Sequence, residues 1–381
     1  MDSLVSMGFI KLLFGPVMLA VLAWVGLRVS AGMVVLPWKP KTVGCLSRNG
    51  DFATFEQTPA TTAPGLYACW TNKRRNHAVI GEVVRLDPRA RTVTRRILSE
   101  KGGRLEMGSA EWIGIVWTSP EDVDLPWSPV IIESSAGNCP AWLFPGSTQS
   151  EHWVIHVHGL RVVRDSPLRG VVAASAAGVT SLVVSYRGDG VGPAVPKNAS
   201  MLGQTEWPDV DAAVEFALEH GAERVTLMGW SKGGGIALRV ADQSLNRGRI
   251  SDLVLVGPVT DWAEVITFGA KIARIPRWVS AAVISALGWR PFARSIGLPA
   301  AIDFDALNWT SRRKLSVPAL IIHSSDDDEV PIELSRRMRD VNPDLVTLVE
   351  FTGALHTMEW NVDRPRFEKL VTERLLLDPR R

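Results

Sequence analysis

Three short segments carry residue types that together can break an acyl bond. Ser231 lies between glycines in Gly229-Trp230-Ser231-Lys232-Gly233, after the apolar run "RVTLMGW" and before a helix-like stretch. Asp326, Asp327 and Asp328 follow the apolar run "ALIIHS", and His356 follows "LVTLVEF". A serine hydroxyl attacks a carbonyl only when a base takes its proton, and an imidazole base needs a third group to fix its tautomer and orientation. Serine, carboxylate and histidine, each just beyond its own apolar run, supply those three parts. The flanking glycines have a physical reason, because a sharp strand-to-helix turn crowds the backbone and leaves no room for side chains there. Alone, Gly-x-Ser-x-Gly fits a glycine-rich loop equally well. The acid and histidine in that order make it specific.

For these residues to meet, their runs must be neighbouring strands. From Trp153, apolar runs ("WVIHVHG", "TSLVVSYR", "RVTLMGW", "DLVLVGP", "PALIIHS", "LVTLVEF") alternate with helix-like segments such as "PDVDAAVEFALEHG" and "RPRFEKLVTERLLL". That alternation predicts a mostly parallel sheet with helices on both faces, and such sheets bind ligands beyond the carboxyl ends of their strands. It breaks once, between Thr260 and Leu315, where amphipathic helical stretches predict a cap over the strand ends. Upstream, from Leu66 to Phe144, the chain reads as short β segments separated by turns. The predicted division is an N-terminal anchor and linker over 1–40, a β-rich extension over 41–148, and an α/β catalytic domain over 149–381 with its cap at about 260–315.

From Trp153 onward the chain resembles the α/β-hydrolases, through "HVHGL" (156–160), "GWSKG" (229–233), "HSSDDDEVP" (323–331) and "GALHTMEW" (353–360). The resemblance implies the α/β-hydrolase fold and a serine hydrolase with Ser231 as nucleophile, His356 as base and Asp327 as acid. Counting from His323 places Asp327 in the acid's position, although Ser324 replaces the usual glycine, and Asp326 and Asp328 remain alternatives. It also implies an oxyanion hole formed by the backbone amides of Lys232 and Leu160. Within the family the wider pattern is similar to an actinobacterial, membrane-anchored group with a β-rich N-terminal extension. The expected reaction is cleavage of a carboxylic ester, of a small molecule or lipid, through an acyl-enzyme that needs no cofactor or metal. A peptidase or thioesterase with the same triad, or a non-catalytic membrane-tethered binding protein, are the alternatives.

Other features shape this expectation. Forty-two basic residues are scattered among 40 acidic ones for a net charge of +2, which gives no basis for nucleic-acid binding. "LLFGPVMLAVLAWVGL" (12–27) carries no charge, and apolar character resumes after Arg28. This predicts a single-pass membrane anchor, with the globular part on the cytoplasmic side by the distribution of Lys and Arg. Val29-Ser30-Ala31 offers a small-residue cleavage pattern, so export after signal cleavage is the alternative. Cys45 and Cys69 can bridge only in an oxidising compartment. His156 and His158, two apart in an apolar strand, read as structural or loop-shaping residues rather than metal ligands. Arg161, Arg164 and Arg187 lie near the strand ends, where they either meet an anionic substrate group or pair structurally, as Arg187 with Asp189. Trp262, Trp278, Trp289 and Phe292 of the cap either line an acyl pocket or pack. Lys232 is not expected to serve as a base, since its side chain should leave from the outer start of its helix.

Overall fold

The computed structural model describes residues 18, 21–37, 41–147, 150–310 and 315–377. A helix over residues 21–35 (α1) comes first. Six strands follow: β1 (Thr42–Asn49), β2 (Phe52–Glu56), β3 (Tyr67–Thr71), β4 (Asn76–Asp87), β5 (Thr92–Lys101) and β6 (Gly108–Ile113), with the single-turn helix α2 (Pro59–Thr62) between β2 and β3. They close into an antiparallel barrel in the order β1-β2-β5-β4-β3-β6. Closure leaves no free strand edge. Its interior is filled by residues such as Phe55, Tyr67, Ile80, Val93 and Trp112.

Eight strands make the second sheet: β7 (Ser128–Ser134), β8 (Gly137–Phe144), β9 (His152–Val157), β10 (Thr180–Val184), β11 (Arg224–Trp230), β12 (Ile250–Val256), β13 (Ala319–Ser324) and β14 (Val346–Phe351). Their order is β14-β13-β12-β11-β9-β10-β8-β7. β9 to β14 pair in parallel, whereas β7 and β8 form an antiparallel hairpin that joins the edge at β10. The sequence reading placed these two strands with the β-rich extension. They belong instead to the second sheet, because alternation shows that a segment is a strand and not which strand it pairs with. The central strands are apolar along both faces since helices cover both: α4 (Trp207–Glu219), α5 (Lys232–Gln243) and α9 (Glu333–Val341) on one side, α3 (Leu168–Ala176) and α11 (Arg364–Leu376) on the other.

The segment expected as a cap contains α6 (Trp262–Ile272), α7 (Arg277–Leu287) and α8 (Arg290–Ile296). Trp262 and Phe292 are buried, and the Trp262 indole donates to Leu202 O, while Trp278 and Trp289 are largely exposed. α1 packs here. Its Ala31 and Val35 are buried in one apolar cluster with Trp262, Leu287 and Phe292, and Trp24 meets Phe292 edge-on at 5.0 Å. The single-pass anchor is therefore corrected: among the described residues no helix is long and apolar enough to cross a membrane. Part of the apolar run, residues 1–17 and 19–20, lies outside the described residues. The described part sends one apolar side into protein rather than lipid, a distinction that hydropathy alone does not make.

The short helix α10 (Glu359–Val362) joins the two regions. Asn361 donates through Nδ2 to Leu66 O and Gly114 O of the barrel side, and its Oδ1 accepts from Arg169. Gly65, at φ +96°, is required here, because a Cβ would fall 1.8 Å from Asn361 O. All three cysteines are buried and free, so Cys45 and Cys69 form no bridge.

Candidate active site

Ser231 stands where β11 turns into α5, at φ 54° and ψ −118°. A non-glycine residue rarely holds a positive φ, and the conformation persists because the surroundings fix it. Its amide donates to Val256 O at 2.9 Å, and its carbonyl accepts from Gly234 and Val259. The two glycines of the motif are sterically required. A Cβ at Gly229 would lie 2.4 Å from Gly233 O, and one at Gly233 would lie 2.2 Å from Val157 O. The turn thus presses β11, α5 and the end of β9 together and leaves the serine hydroxyl facing outward from the strand ends.

The loops after β13 and β14 bring the other residues to it. His356 Nε2 lies 2.8 Å from Ser231 Oγ, and His356 Nδ1 lies 2.7 Å from Asp327 Oδ2. The three neighbouring carboxylates do different things. Asp326 accepts from Gly353 N and Asp328 from His356 N, while Asp328 also pairs with Lys41. Of the three, Asp327 is the one whose carboxylate meets the imidazole. Its Oδ1 is held by the amides of Glu329 and Val330 at 2.8 and 2.7 Å.

Two neighbours of Asp327 make contacts that their sequence positions do not announce. His323 reaches the same Oδ2 at 3.1 Å with Nε2, while its Nδ1 lies 2.7 Å from Ser335 Oγ. Glu359 is fully buried, and its Oε1 accepts from Ser324 N, the residue that replaces a glycine. Burial pushes the Glu359 carboxyl up to about 7. At Asp327 burial opposes the charge, but His356 and His323 outweigh it and hold the carboxyl below its ordinary range. At His356 burial works against the imidazolium, yet the charge and hydrogen bond of Asp327, with Glu329 and Glu359 adding to them, raise its pKa to about 9. The arrangement favours an imidazole that has taken up a proton, as a general base must after attack.

Lys232 opens α5, so its amide is among the first-turn donors that lack an intrahelical acceptor, at the positive end of the helix dipole. Its side chain does not leave outward as expected. It is buried, with Nζ 3.3 Å from Glu206 Oε1 and 3.2 Å from Ser200 Oγ. This pairing engages the ammonium away from the serine. Leu160 follows Gly159, whose Cβ position would be 3.2 Å from Ser231 Cβ, so the loop after β9 runs beside the serine.

The remaining candidates are engaged elsewhere. His156 is buried against Ser181, with its pKa lowered by burial to about 3. Arg187 pairs with Asp209, through Nε at 2.8 Å and Nη2 at 2.6 Å, rather than with Asp189, which meets His158 instead. Asp189 is taken up by His158 and by the amides of Tyr186, Val191 and Gly192. Arg161 binds the carbonyls of Met33, Val34 and Leu36 at the end of α1, and Arg164 stacks on Trp142 at 4.3 Å.

No curated protein matches the sequence. The esterase Pf2001 of Pyrococcus furiosus is similar in structure at 21% identity and a TM-score of 0.50, over 67% of this chain and 94% of that one. An esterase from Thermogutta terrifontis aligns at 20% identity and a TM-score of 0.45, over 65% of this chain and 98% of that one. Residues 46–113, in the barrel, match a domain of unknown function (DUF8805). Residues 143–366, more than half of the chain, match the Alpha/beta hydrolase family, and the chain belongs to that family.

Proposed function

We propose that this protein is a serine hydrolase that cleaves a carboxylic ester through an acyl-enzyme. The observation that supports this reading most is the unbroken line of contacts from Ser231 Oγ through His356 to Asp327, at 2.8 and 2.7 Å, with the serine on a strained turn. Ser231 Oγ attacks the ester carbonyl carbon while its proton passes to His356 Nε2, and the carbonyl π pair moves onto oxygen. The amides of Lys232 and Leu160 then receive that oxyanion. When the intermediate collapses, the bond to the alkoxy oxygen breaks, and the leaving oxygen takes the proton from His356. Water repeats the sequence, giving the acid and free Ser231. Asp327 stays ionised throughout and stabilises the imidazolium.

An ester is the substrate to try first, because the similar fold from Pyrococcus furiosus is an esterase and esters need no strong acid to expel their leaving group. The test is turnover of a p-nitrophenyl ester series from acetate to palmitate by the full chain. Hydrolysis with an optimum at one chain length supports the reading and sizes the acyl site. Absence of turnover with every ester, alongside cleavage of a thioester or peptide series, moves the substrate class within the same chemistry.

A further inference from the structure

Behind the loop after β9 lies a buried cluster that the proton route does not use. Tyr186 is fully buried, and its ring stacks on His158 at 4.1 Å. The hydroxyl lies 2.9 Å from His158 O, 3.0 Å from Gly159 O and 2.9 Å from His158 Nδ1, and that Nδ1 itself lies 2.9 Å from Gly159 O, so the phenol and the imidazole hold the carbonyl together. His158 is held from its other side, with Nε2 3.1 Å from Asp189 Oδ2. Asp189 is itself fixed by the amides of Tyr186, Val191 and Gly192 at 3.2, 2.7 and 2.6 Å. Lys232 Nζ also sits over the Tyr186 ring, 4.6 Å from its centre. Burial, with the charges of Asp189 and Glu206, pushes the phenol well above its ordinary pKa of 10, so it remains a donor.

The Gly159 carbonyl and the Leu160 amide belong to one peptide plane, and that peptide is trans. In a trans peptide the C=O and N–H point in opposite directions, so a donor that holds the carbonyl also aims the amide. We propose that Tyr186 is a positioning residue for the oxyanion hole: its hydroxyl, against Gly159 O, fixes the plane of the peptide whose N–H is the second donor. This rests on the hydrolase reading above. Tyr186 touches no reacting atom and acts through Leu160, with His158 and Asp189 holding the ring and loop in register. The Lys232 ammonium packs on the same ring. A donor that drifts from the oxyanion weakens the transition state and leaves ground-state binding nearly intact.

The test compares Tyr186→Phe with wild type, both as full chains, using p-nitrophenyl butyrate and a trifluoromethyl ketone that adds to the serine as an oxyanion-bearing hemiketal. The substitution removes one oxygen. We expect kcat to fall about ten- to a hundredfold, the Ki of the ketone to rise by a similar factor, and KM to stay within about twofold. Ki and KM do not depend on what fraction of the enzyme is folded, so a purely structural role would move neither. Asp189→Asn, which keeps the hydroxyl but loosens His158, should shift kcat and Ki in the same direction by less, and it decides the matter if Tyr186→Phe does not fold. Unchanged Ki and KM in the variant, with a wild type that hydrolyses and binds the ketone, overturn this inference alone. A wild type that does neither overturns the hydrolase reading together with it.

Discussion

The barrel and the strand ends of the second sheet both bury charge, but they compensate it differently. In the barrel, Arg95 on β5 is fully buried and donates to the carbonyls of Gly81, Thr61, Ala63 and Gly65, at 2.7 to 3.0 Å. Its guanidinium also lies over Tyr67 and Trp112, at 5.1 and 5.5 Å. Fixed backbone dipoles answer that charge, and none of them can exchange a proton with it. At the strand ends Asp327 is answered partly by backbone amides and partly by two histidines, one of which touches a half-buried serine. The first arrangement is suited to holding a fold, and the second to moving a proton.

Substitutions should separate the two regions. Asp327→Asn should lower kcat by about four orders of magnitude with the fold intact, because the amide no longer selects the imidazole tautomer or balances its charge. The same change at Asp328 should cost less than about tenfold, since among the described residues it meets the His356 backbone amide and Lys41 and not the imidazole. Steady-state kinetics on both variants checks this, and equal losses would break the assignment. Arg95→Leu should behave oppositely. It leaves four carbonyls, three of them buried, without their Arg95 donor and should lower unfolding free energy by about 3 kcal/mol, with kcat per folded molecule little changed. Urea denaturation reads that difference. Gly65→Ala should destabilise by about 1–3 kcal/mol, because the new methyl collides with Asn361 O where the barrel meets the hydrolase body.

The pH dependence sharpens the same contrast. In the proposed reaction His356 must be neutral to accept the Ser231 proton, and Asp327 raises the His356 pKa above the ordinary 6.5, to about 9. Activity is therefore present above that pKa and lost as pH falls through it. The kcat/KM profile for an uncharged ester should show an ascending limb displaced to alkaline pH, and Asp327→Asn should return the limb toward the ordinary histidine value.

Local spacing makes the line of contacts from Ser231 through His356 to Asp327 legible in the sequence. Gly229 and Gly233 announce a turn in which a Cβ has no room, and the acid and histidine each follow an apolar run that becomes a parallel strand. Contacts made at a distance were not legible. Nothing near Arg187 indicates that Asp209 rather than Asp189 will face it, and nothing near Lys232 announces Glu206. Alternation in the N-terminal half reveals strands but neither their closure into a barrel nor the departure of β7 and β8 to the other sheet. The apolar run through α1 reads as a membrane span because a bilayer and a protein core both reward burial of Ala31 and Val35.

The most direct measurement of the central claim is labelling of the folded full chain with a fluorophosphonate, read by intact mass and peptide mapping. One adduct is expected, on Ser231, lost in Ser231→Ala and in His356→Ala while both variants keep the wild-type melting temperature. An unlabelled wild type, or an adduct that persists in Ser231→Ala, would contradict it.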